Sequence, residues 1–320
     1  MDQAPSRFPL QAAEKILKAG RSLGLVMGMI QLEMEFEARL DPQRLRRSLD
    51  LLLIQHPILA CRLDAQAGKS FWQWSETKEP LLLLTQSPEA FDQFRISLAD
   101  PAQGPQLSAC LWQRPSGASL LLKVTHEVSD AGGVKEIGMD FAGLYTRLEK
   151  EPDYTPAPNL QGSRSGWQVL QYLPRHKWPG IIFDFLKDLW ANFVPRDSVT
   201  LPLPLDPGSP VTYVIRHLPA ERVSSLAGYG RSRNATLNDM VISAFYRALA
   251  KQGKGDKTAA LRLQTTVDLR RYMPEERAEE ICNLSAMAYP FLGKELGKDF
   301  EQTLERVAAI IRFDRGRGMN

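Results

Sequence analysis

Prolines are concentrated in one stretch of this sequence, and that stretch limits how the chain can fold. Ten of the 22 prolines fall between residues 150 and 210. Proline fixes φ and lacks a backbone N–H, so a proline-rich stretch is unsuited to long regular elements. We therefore predict a linker over residues 156–209, with one or two helices of its own. The chain then has an N-terminal subdomain, 1–155, and a C-terminal subdomain, 210–320.

Strand and helix patterns alternate on both sides of this linker. In the first half, period-two alternation over residues 25–37 predicts a strand, and Asp41 before Pro42 is typical of a helix start. Residues 107–113 and 119–125 are two further predicted strands, joined by a Pro-Gly turn. The second half predicts strands over 211–218, 259–267 and 284–290, and helices over 220–231, 237–251 and 300–312. This alternation favours two similar α/β subdomains.

Composition and charge exclude several classes of protein. The chain is 43% apolar and 24% charged, and its net charge is +3. This balance is typical of a globular protein and too weak to indicate a nucleic-acid or anionic-membrane partner. Because we find no signal peptide and no membrane span, we expect a cytoplasmic protein. Four scattered histidines predict no metal site, and three distant cysteines predict buried thiols: Cys61, Cys110 and Cys282.

One histidine lies in a context that suits catalysis. His126 follows the apolar predicted strand 119–125, and Asp130 stands four residues later, before Gly132, Gly133 and a predicted helix. A histidine at a strand end can act as a general base, and a helix N-terminus supplies free N–H groups that favour an anion. The alternative is a histidine bonded locally, with Asp130 as an ordinary helix cap. The spacing alone leaves both interpretations open.

The segment THEVSDAGG, residues 125–133, resembles the HHxxxDG motif of the thioester-dependent acyltransferase superfamily. That superfamily includes condensation domains of nonribosomal peptide synthetases, wax ester synthases, alcohol acetyltransferases and chloramphenicol acetyltransferase. Other segments resemble its patterns in the same order: LDPQRL (40–45) with QHPIL (55–59), NATLND (234–239), TVDLRRYMP (266–274) and CNLS (282–285). Within the second of these, we interpret His56 as a structural residue near the C-terminal carbonyls of its helix.

This resemblance implies an α/β fold of two chloramphenicol acetyltransferase-like subdomains, with mixed sheets and helices on one face. It implies that His126 is the general base and that Asp130 points away from the reaction and pairs with Arg270 of the second subdomain. Asn283 matches the asparagine that follows in the family. By position, the N–H groups of Gly132 and Gly133 are candidates to stabilise the oxyanion.

The resemblance also implies the substrates. The donor would be an acyl thioester of coenzyme A or of a carrier protein's phosphopantetheine arm, used as a substrate and not as a resident cofactor. The acceptor would be an alcohol or an amine. A predicted helix at 181–193 has one apolar face, which suits either core packing or contact with a lipid or membrane surface. The sequence does not distinguish these donors, nor does it identify the acyl length.

The sequence departs from the family pattern at three positions and at its C-terminal end, and the second departure keeps a non-catalytic alternative open. Thr125 stands in place of the first histidine of the motif, Ala131 in place of the glycine after the aspartate, and Cys282 in place of a further glycine. The later strands and the DFGWG-type segment of the family are also absent from these 320 residues, which suggests an incomplete second subdomain and a homodimer that covers exposed apolar surface. The chain could then be a condensation-like binding module or an inactive fragment. An unrelated fold with an accidental HxxxD is the third hypothesis.

Overall fold

The computed structural model describes residues 7–23, 28–66, 69–75, 81–183, 186, 199, 214–253, 261, 263–293 and 295–319. The chain divides into two compact units. The first consists of Met1–Tyr172 with Asp268–Ser285, and the second of Leu173–Val267 with Ala286–Asn320. The segment 268–285, which the sequence assigned to the C-terminal subdomain, therefore packs within the first unit. The linker boundaries at residues 156 and 209 stay a prediction.

The first unit contains seven strands and four helices among the described residues. In chain order they are β1 Arg7–Pro9, α1 Ala12–Ser22, β2 Met29–Phe36, α2 Pro42–Gln55, β3 Cys61–Gln66, β4 Lys69–Trp74, β5 Leu81–Thr85, α3 Pro88–Ile96, β6 Leu107–Arg114, β7 Gly117–Thr125 and α4 Ala131–Lys150. One sheet has the order β2-β7-β6-β5, and a smaller sheet has the order β1-β4-β3. The larger sheet is mixed, because β5 runs parallel to β6 while the other pairs are antiparallel.

Strand β7 is an inner strand of the larger sheet and ends at Thr125, directly before His126. All nine of its residues are buried, and it pairs with β2 on one side and β6 on the other. The tight turn before it depends on Gly117, whose φ is +114° and whose added Cβ would lie 2.3 Å from the carbonyl oxygen of Phe36. Only glycine satisfies both conditions without strain. A buried strand of this kind gives the residue that follows it a rigid base.

The two long helices of this unit bury apolar stripes against one face of the sheet. Asp41 caps α2 by accepting hydrogen bonds from the N–H groups of Gln43 and Arg44, with Pro42 as the first helical residue, as the sequence predicted. Helix α4 packs against α2 and β2. The buried stripe of α4 has the 3-4 spacing of an amphipathic helix and consists of Val134, Ile137, Phe141, Leu144 and Leu148.

Helix α3 covers the other face of the same sheet, so the prediction of helices on one face only was too simple. Phe91 and Phe94 of α3 form a separate cluster with Cys110 and Leu121. The cause is the alternation of a buried strand, which sends Leu121 to the face opposite its neighbours in β7. Lys123 points to this second face as well, where its ammonium donates to carbonyl oxygens at the end of α3. Burial lowers the pKa of this lysine to about 8.

The second unit contains α5 Ala220–Arg231, α6 Leu237–Gln252, β8 Thr265–Asp268, β9 Ser285–Ala288 and α7 Phe300–Met319. Strands β8 and β9 form a two-stranded sheet. The last residue of β8, Asp268, and the first residue of β9, Ser285, belong to the first unit. The core of the second unit is built around α6, where Ile242, Tyr246 and Leu249 pack with Leu292 and Val307. The helices predicted at 220–231 and 237–251 are confirmed within one residue.

Two predicted strands differ from the structure. Residues 214–218 have no regular structure and are exposed, and the remainder of the predicted strand 211–218 lies outside the described residues. The predicted strand 259–267 is seen only as Thr265–Asp268. Residues 214–218 do not form the predicted strand because Val214 and Leu218 are exposed and Pro219 follows them. A strand that buries neither face gains little from pairing.

The predicted apolar helix at 181–193 falls mostly outside the described residues. Residues 181–183 and 186 are helical, and Ile182, Phe183 and Leu186 are exposed. In the part of the chain that the structure describes, no helix has the length and apolar character required to cross a membrane.

Candidate active site

His126 lies in a short loop between the buried strand β7 and helix α4. Its Nδ1 lies 3.1 Å from the carbonyl oxygen of Ser129, and the side chain is partly exposed. A carbonyl oxygen only accepts hydrogen bonds, so Nδ1 carries the proton in this geometry. The lone pair of a neutral His126 is then on Nε2, which has no hydrogen-bond partner among the described residues. The ring therefore has the tautomer that a general base at Nε2 requires.

The carboxylate of Asp130 is buried and fully hydrogen-bonded. Oδ1 accepts from the N–H of Gly133 at 2.9 Å and from Nη1 of Arg270 at 2.8 Å. Oδ2 accepts from the N–H of Leu284 at 2.7 Å and from the hydroxyl of Ser285 at 3.0 Å. None of these partners is His126, so Asp130 does not orient the imidazole directly. Its role in this geometry is to cap α4 and to hold the segment 268–285 against the loop.

Arg270 is the cation that completes this arrangement. Only 3% of its side chain is exposed, and Nε donates to Glu136 at 2.9 Å while Nη2 donates to the carbonyl oxygen of Cys282 at 2.9 Å. Burial alone would lower the pKa of Arg270, but the charges of Asp130, Glu136 and Asp268 raise it. The predicted buried pair of Asp130 and Arg270 is present. The expectation that it would join two subdomains is wrong, because both residues belong to the first unit.

Asn283 holds the backbone of the loop from the other side. Its Nδ2 donates to the carbonyl oxygen of His126 at 3.1 Å and to that of Glu127 at 2.9 Å. The side chain of Glu127 is itself buried and accepts from Nε of Arg21 at 2.7 Å. The loop that carries the imidazole is therefore held by two groups from distant parts of the chain, Asn283 and Arg21. Such fixation is what a preorganised catalytic group requires.

The two glycines after Asp130 allow the close approach of Arg270. A Cβ on Gly132 would lie 2.5 Å from Nη1 of Arg270, and one on Gly133 would lie 2.4 Å from Oγ of Ser129. The N–H of Gly133 is already used by Asp130. Gly133 is therefore not available as an oxyanion donor in this structure, contrary to the sequence-based expectation. Gly132 is partly exposed and keeps its N–H as a candidate.

Two participants of this network were not recognised in the sequence. Glu136 accepts from Arg270 and from the N–H of Ala278, and burial raises its pKa. A carboxylate between Val134 and Ile137 on the buried face of a predicted helix was the available signal. Arg21 is in helix α1, and no sequence pattern linked it to Glu127.

His56 has a structural role at the C-terminal end of α2, as expected, and its ring contacts two carboxylates. Its Nδ1 lies 2.7 Å from Oε1 of Glu280 and its Nε2 lies 3.1 Å from Oδ2 of Asp140. Burial alone would lower the pKa of His56, but hydrogen bonds and charges from Asp140 and Glu280 raise it to about 9. The imidazole is thus a buried cation near neutral pH, and it is unsuited to act as a base.

The cysteines give no nucleophile among the described side chains. Cys61, Cys110 and Cys282 are free and buried, as predicted. Burial raises the pKa of Cys282 to about 12 and that of Cys110 to about 11. A thiol at these values is protonated at neutral pH and unreactive. The chemistry that this region can perform is therefore proton transfer at Nε2 of His126.

Comparison with known proteins shows the fold of the chain. No family model and no curated protein matches it. Among solved structures, the first condensation domain of the calcium-dependent antibiotic synthetase, in complex with a substrate analogue, aligns over 99% of this chain and 77% of its own, with a TM-score of 0.70 and 17% identity. SgcC5 from Streptomyces globisporus aligns over 98% of this chain and 74% of its own, with a TM-score of 0.71 and 14% identity.

A third solved structure is polyketide synthase associated protein 5 from Mycobacterium tuberculosis, which aligns over 97% of this chain and 73% of its own, with a TM-score of 0.64 and 16% identity. The chain therefore has the fold of condensation domains and of the related chloramphenicol acetyltransferase-like proteins. The fold expected from the resemblance is confirmed, and the hypothesis of an unrelated fold is wrong.

Proposed function

We propose that this chain transfers an acyl group from a thioester to an alcohol or amine, with His126 as the general base. The observation that supports this most directly is the hydrogen bond from Nδ1 of His126 to the carbonyl oxygen of Ser129. It leaves Nε2 as the basic nitrogen and fixes the ring plane. A shared fold with condensation domains at 17% identity is consistent with this activity and does not by itself assign it.

The reaction would proceed without a covalent enzyme intermediate. The acceptor oxygen or nitrogen attacks the thioester carbonyl carbon while Nε2 of His126 takes its proton. A C–O or C–N bond forms, and the carbonyl oxygen becomes an oxyanion. Collapse of this intermediate breaks the C–S bond, and the proton passes from Nε2 to the departing thiolate sulfur. The thioester is already activated, so the reaction needs no further cofactor.

The N–H of Gly132 is our candidate for the oxyanion donor. It lies in the first turn of α4, where N–H groups are not used within the helix. Asp130, Arg270 and Asn283 act as positioning residues in this proposal, since each contacts the loop or its neighbours and none contacts the imidazole ring. In this proposal Asp130 is needed to hold the loop in position, although it takes no proton.

The donor and the compartment are further parts of the proposal. A carrier-protein thioester is one donor, because two of the solved structures with this fold are parts of synthetases named as condensation domains. Coenzyme A thioesters are the other donor. The three free cysteines suit the reducing conditions of the cytoplasm, which is the location that we propose.

Release of free thiol from a panel of acyl-coenzyme A esters and acylated carrier proteins, with alcohols and amines as acceptors, tests the proposal. We expect acceptor-dependent thiol release that falls by ~10²–10⁴ in His126→Ala. His176→Ala is the matched control, because His176 is exposed and lies in the second unit. Equal rates in both variants would exclude His126 as the base. Binding of an acyl thioester without any turnover would favour the alternative of a non-catalytic module.

A further inference from the structure

A cavity of about 580 Å³ lies within the first unit, apart from the His126 loop. Its walls come from the C-terminal end of α2, one side of α4, the region of Tyr154 to Asn159 and the segment 273–281. Among the described residues that line it, none belongs to the motif segment 125–133. The volume lies within the ~300–1,000 Å³ range of small-molecule sites.

Glu280 lines this cavity with a carboxylate that is only half satisfied. Its side chain is 3% exposed, and Oε1 accepts from Nδ1 of His56 at 2.7 Å and from the N–H of Ile281 at 2.8 Å. Oε2 is buried and has no hydrogen-bond partner among the residues that the structure describes. A buried carboxylate oxygen without a donor is unfavourable. The site therefore favours a donor that the described chain does not supply.

Glu136 adds a second carboxylate to the same wall. Its side chain is 6% exposed, and both of its hydrogen bonds, from Arg270 and from the N–H of Ala278, end on Oε1. No described residue donates to Oε2. Two carboxylates of this cavity thus have one free oxygen each. Glu136 also connects the cavity wall to Arg270 and through it to Asp130.

The charges around the cavity favour a cation. Three cations, His56, Arg270 and Arg277, form ion pairs there with five carboxylates, so the network is acidic. Each cation already contacts at least one carboxylate, and an anion in the cavity would face the free oxygens. A positively charged ligand would reduce this excess of negative charge. No cluster of three or more metal-ligating groups is present among the described side chains, so the geometry does not suit a metal ion.

We propose that this cavity binds a small organic cation that carries a primary ammonium group. The ammonium has three N–H donors and no acceptor, which matches free carboxylate oxygens, and its charge favours it over neutral donors such as alcohols. Its first contact is Oε2 of Glu136, to which no described residue donates, and Glu280 supplies the second negative charge. Tyr154 and Tyr172 stand in the wall, where an aromatic or aliphatic body of the ligand can pack. This inference concerns binding and does not depend on the acyl-transfer proposal.

Calorimetric titration of the full chain with tyramine and with tyrosol tests the charge requirement, because these molecules differ only in an ammonium in place of a hydroxyl. We expect tyramine to bind and tyrosol to bind roughly tenfold more weakly or not at all. Glu280→Gln keeps the shape of the side chain and should weaken tyramine binding by a similar factor. Equal affinity for the two ligands, or no binding of tyramine at millimolar concentration, would overturn the proposal.

Two substitutions of exposed alanines test whether tyramine binds in this cavity. Ala157 lines the cavity, so Ala157→Trp should fill it and abolish tyramine binding. Ala102 lies on a surface turn and does not line the cavity, so Ala102→Trp should bind tyramine as the unmodified chain does. Both positions are exposed, and both variants should fold. Unchanged tyramine binding in Ala157→Trp would show that the cation binds elsewhere and that this cavity is not the site.

Discussion

The side-chain nitrogen Nδ2 of Asn283 lies 3.1 Å from the backbone carbonyl oxygen of His126, although 157 residues separate the two in sequence. The same nitrogen also reaches the carbonyl oxygen of Glu127. One amide group thus fixes two successive peptides of the loop that carries the imidazole. The position of the His126 loop therefore depends on Asn283, although Asn283 does not contact the imidazole ring.

Removal of this amide should therefore impair the reaction more than the fold. Asn283→Ala deprives two carbonyl groups of their donor, and we expect a loss of about 1–2 kcal/mol in the free energy of unfolding. Because small misplacements of a catalytic group can cost ~10² in rate, acyl transfer should fall by about that factor. Urea unfolding and thiol release measure the two effects. Asn283→Asp has the same shape and no donor, and full activity in it would contradict this role.

The buried pair of Asp130 and Arg270 should be much more important for stability than an exposed pair on the same helix. Asp130→Ala leaves Arg270 buried without one of its carboxylates, and we expect destabilisation by about 3–5 kcal/mol. The comparison is Glu151→Ala, which removes the exposed pair with Arg147 at the end of α4 and should cost under about 0.5 kcal/mol. Denaturant midpoints of both variants provide the measurement.

Arg270→Lys tests whether charge alone is sufficient at this position. Lysine keeps the positive charge but cannot reach Asp130, Glu136 and the carbonyl oxygen of Cys282 together, because it has no planar fork of donors. We expect most of the destabilisation seen in Asp130→Ala. A variant as stable as the original chain would show that hydrogen-bond geometry is unimportant here.

His56 should make the stability of the fold decrease in alkaline solution. Its pKa is about 9 in the folded chain and ~6.5 when unfolded, so its contribution is fully present below about pH 6.5 and is lost as the pH rises through 9. The expected loss is on the order of 3 kcal/mol. Urea unfolding at about pH 6 and about pH 9.5 measures it.

The control for this pH effect is His56→Asn, which has no imidazole to titrate. We expect its stability to be lower near neutral pH and to change less between the two conditions. An exposed histidine, as in His176→Ala, should leave the pH dependence of the original chain unaltered. An equally steep decrease in His56→Asn would assign the effect to other groups.

Two glycines of helix α4 should respond in opposite directions to the same substitution. Gly132→Ala places a Cβ 2.5 Å from Arg270, so the buried pair must shift, and both stability and acyl transfer should decrease. Gly143 is exposed in the same helix, and no atom lies within 4 Å of its added Cβ. Gly143→Ala should therefore stabilise the chain by about 0.5–1 kcal/mol. Thermal unfolding of the two variants makes the comparison.

Local features of the fold could be predicted from the sequence because they depend on neighbouring residues. The cap at Asp41 and the helix at 220–231 follow from signals within a few positions, and both are present. The pairing of Asp130 with Arg270 was predicted only through the resemblance to a family, since no local pattern joins residues 140 apart. The strand predicted at 211–218 shows that an apolar pattern alone does not make a strand, because residues 214–218, the part that the structure describes, are exposed and irregular.

The sequence singled out His126 and three of the residues around its loop, Asp130, Arg270 and Asn283. It did not single out Glu136 or Arg21. The context of His126 was visible as a buried strand followed by glycines. The hydrogen bond from the N–H of Gly133 to Asp130 was not visible in the sequence, because it depends on the side-chain conformation of Asp130. The carboxylate partners of His56 could not be predicted either, since Glu280 and Asp140 come from distant parts of the chain.

The assignment of residues 268–285 to the first unit also determines when this unit can be completed during translation. A ribosome makes Met1–Tyr172 first, and the chain then continues through residues 173–267 of the other unit before the missing piece appears. Until Arg270 has left the exit tunnel, Asp130 and Glu136 are carboxylates without their cation, and burying them is unfavourable. The nascent first unit should therefore stay open around its histidine loop. Its last step of folding should then be the docking of a late segment, so the candidate catalytic loop should be among the last parts of the protein to become ordered.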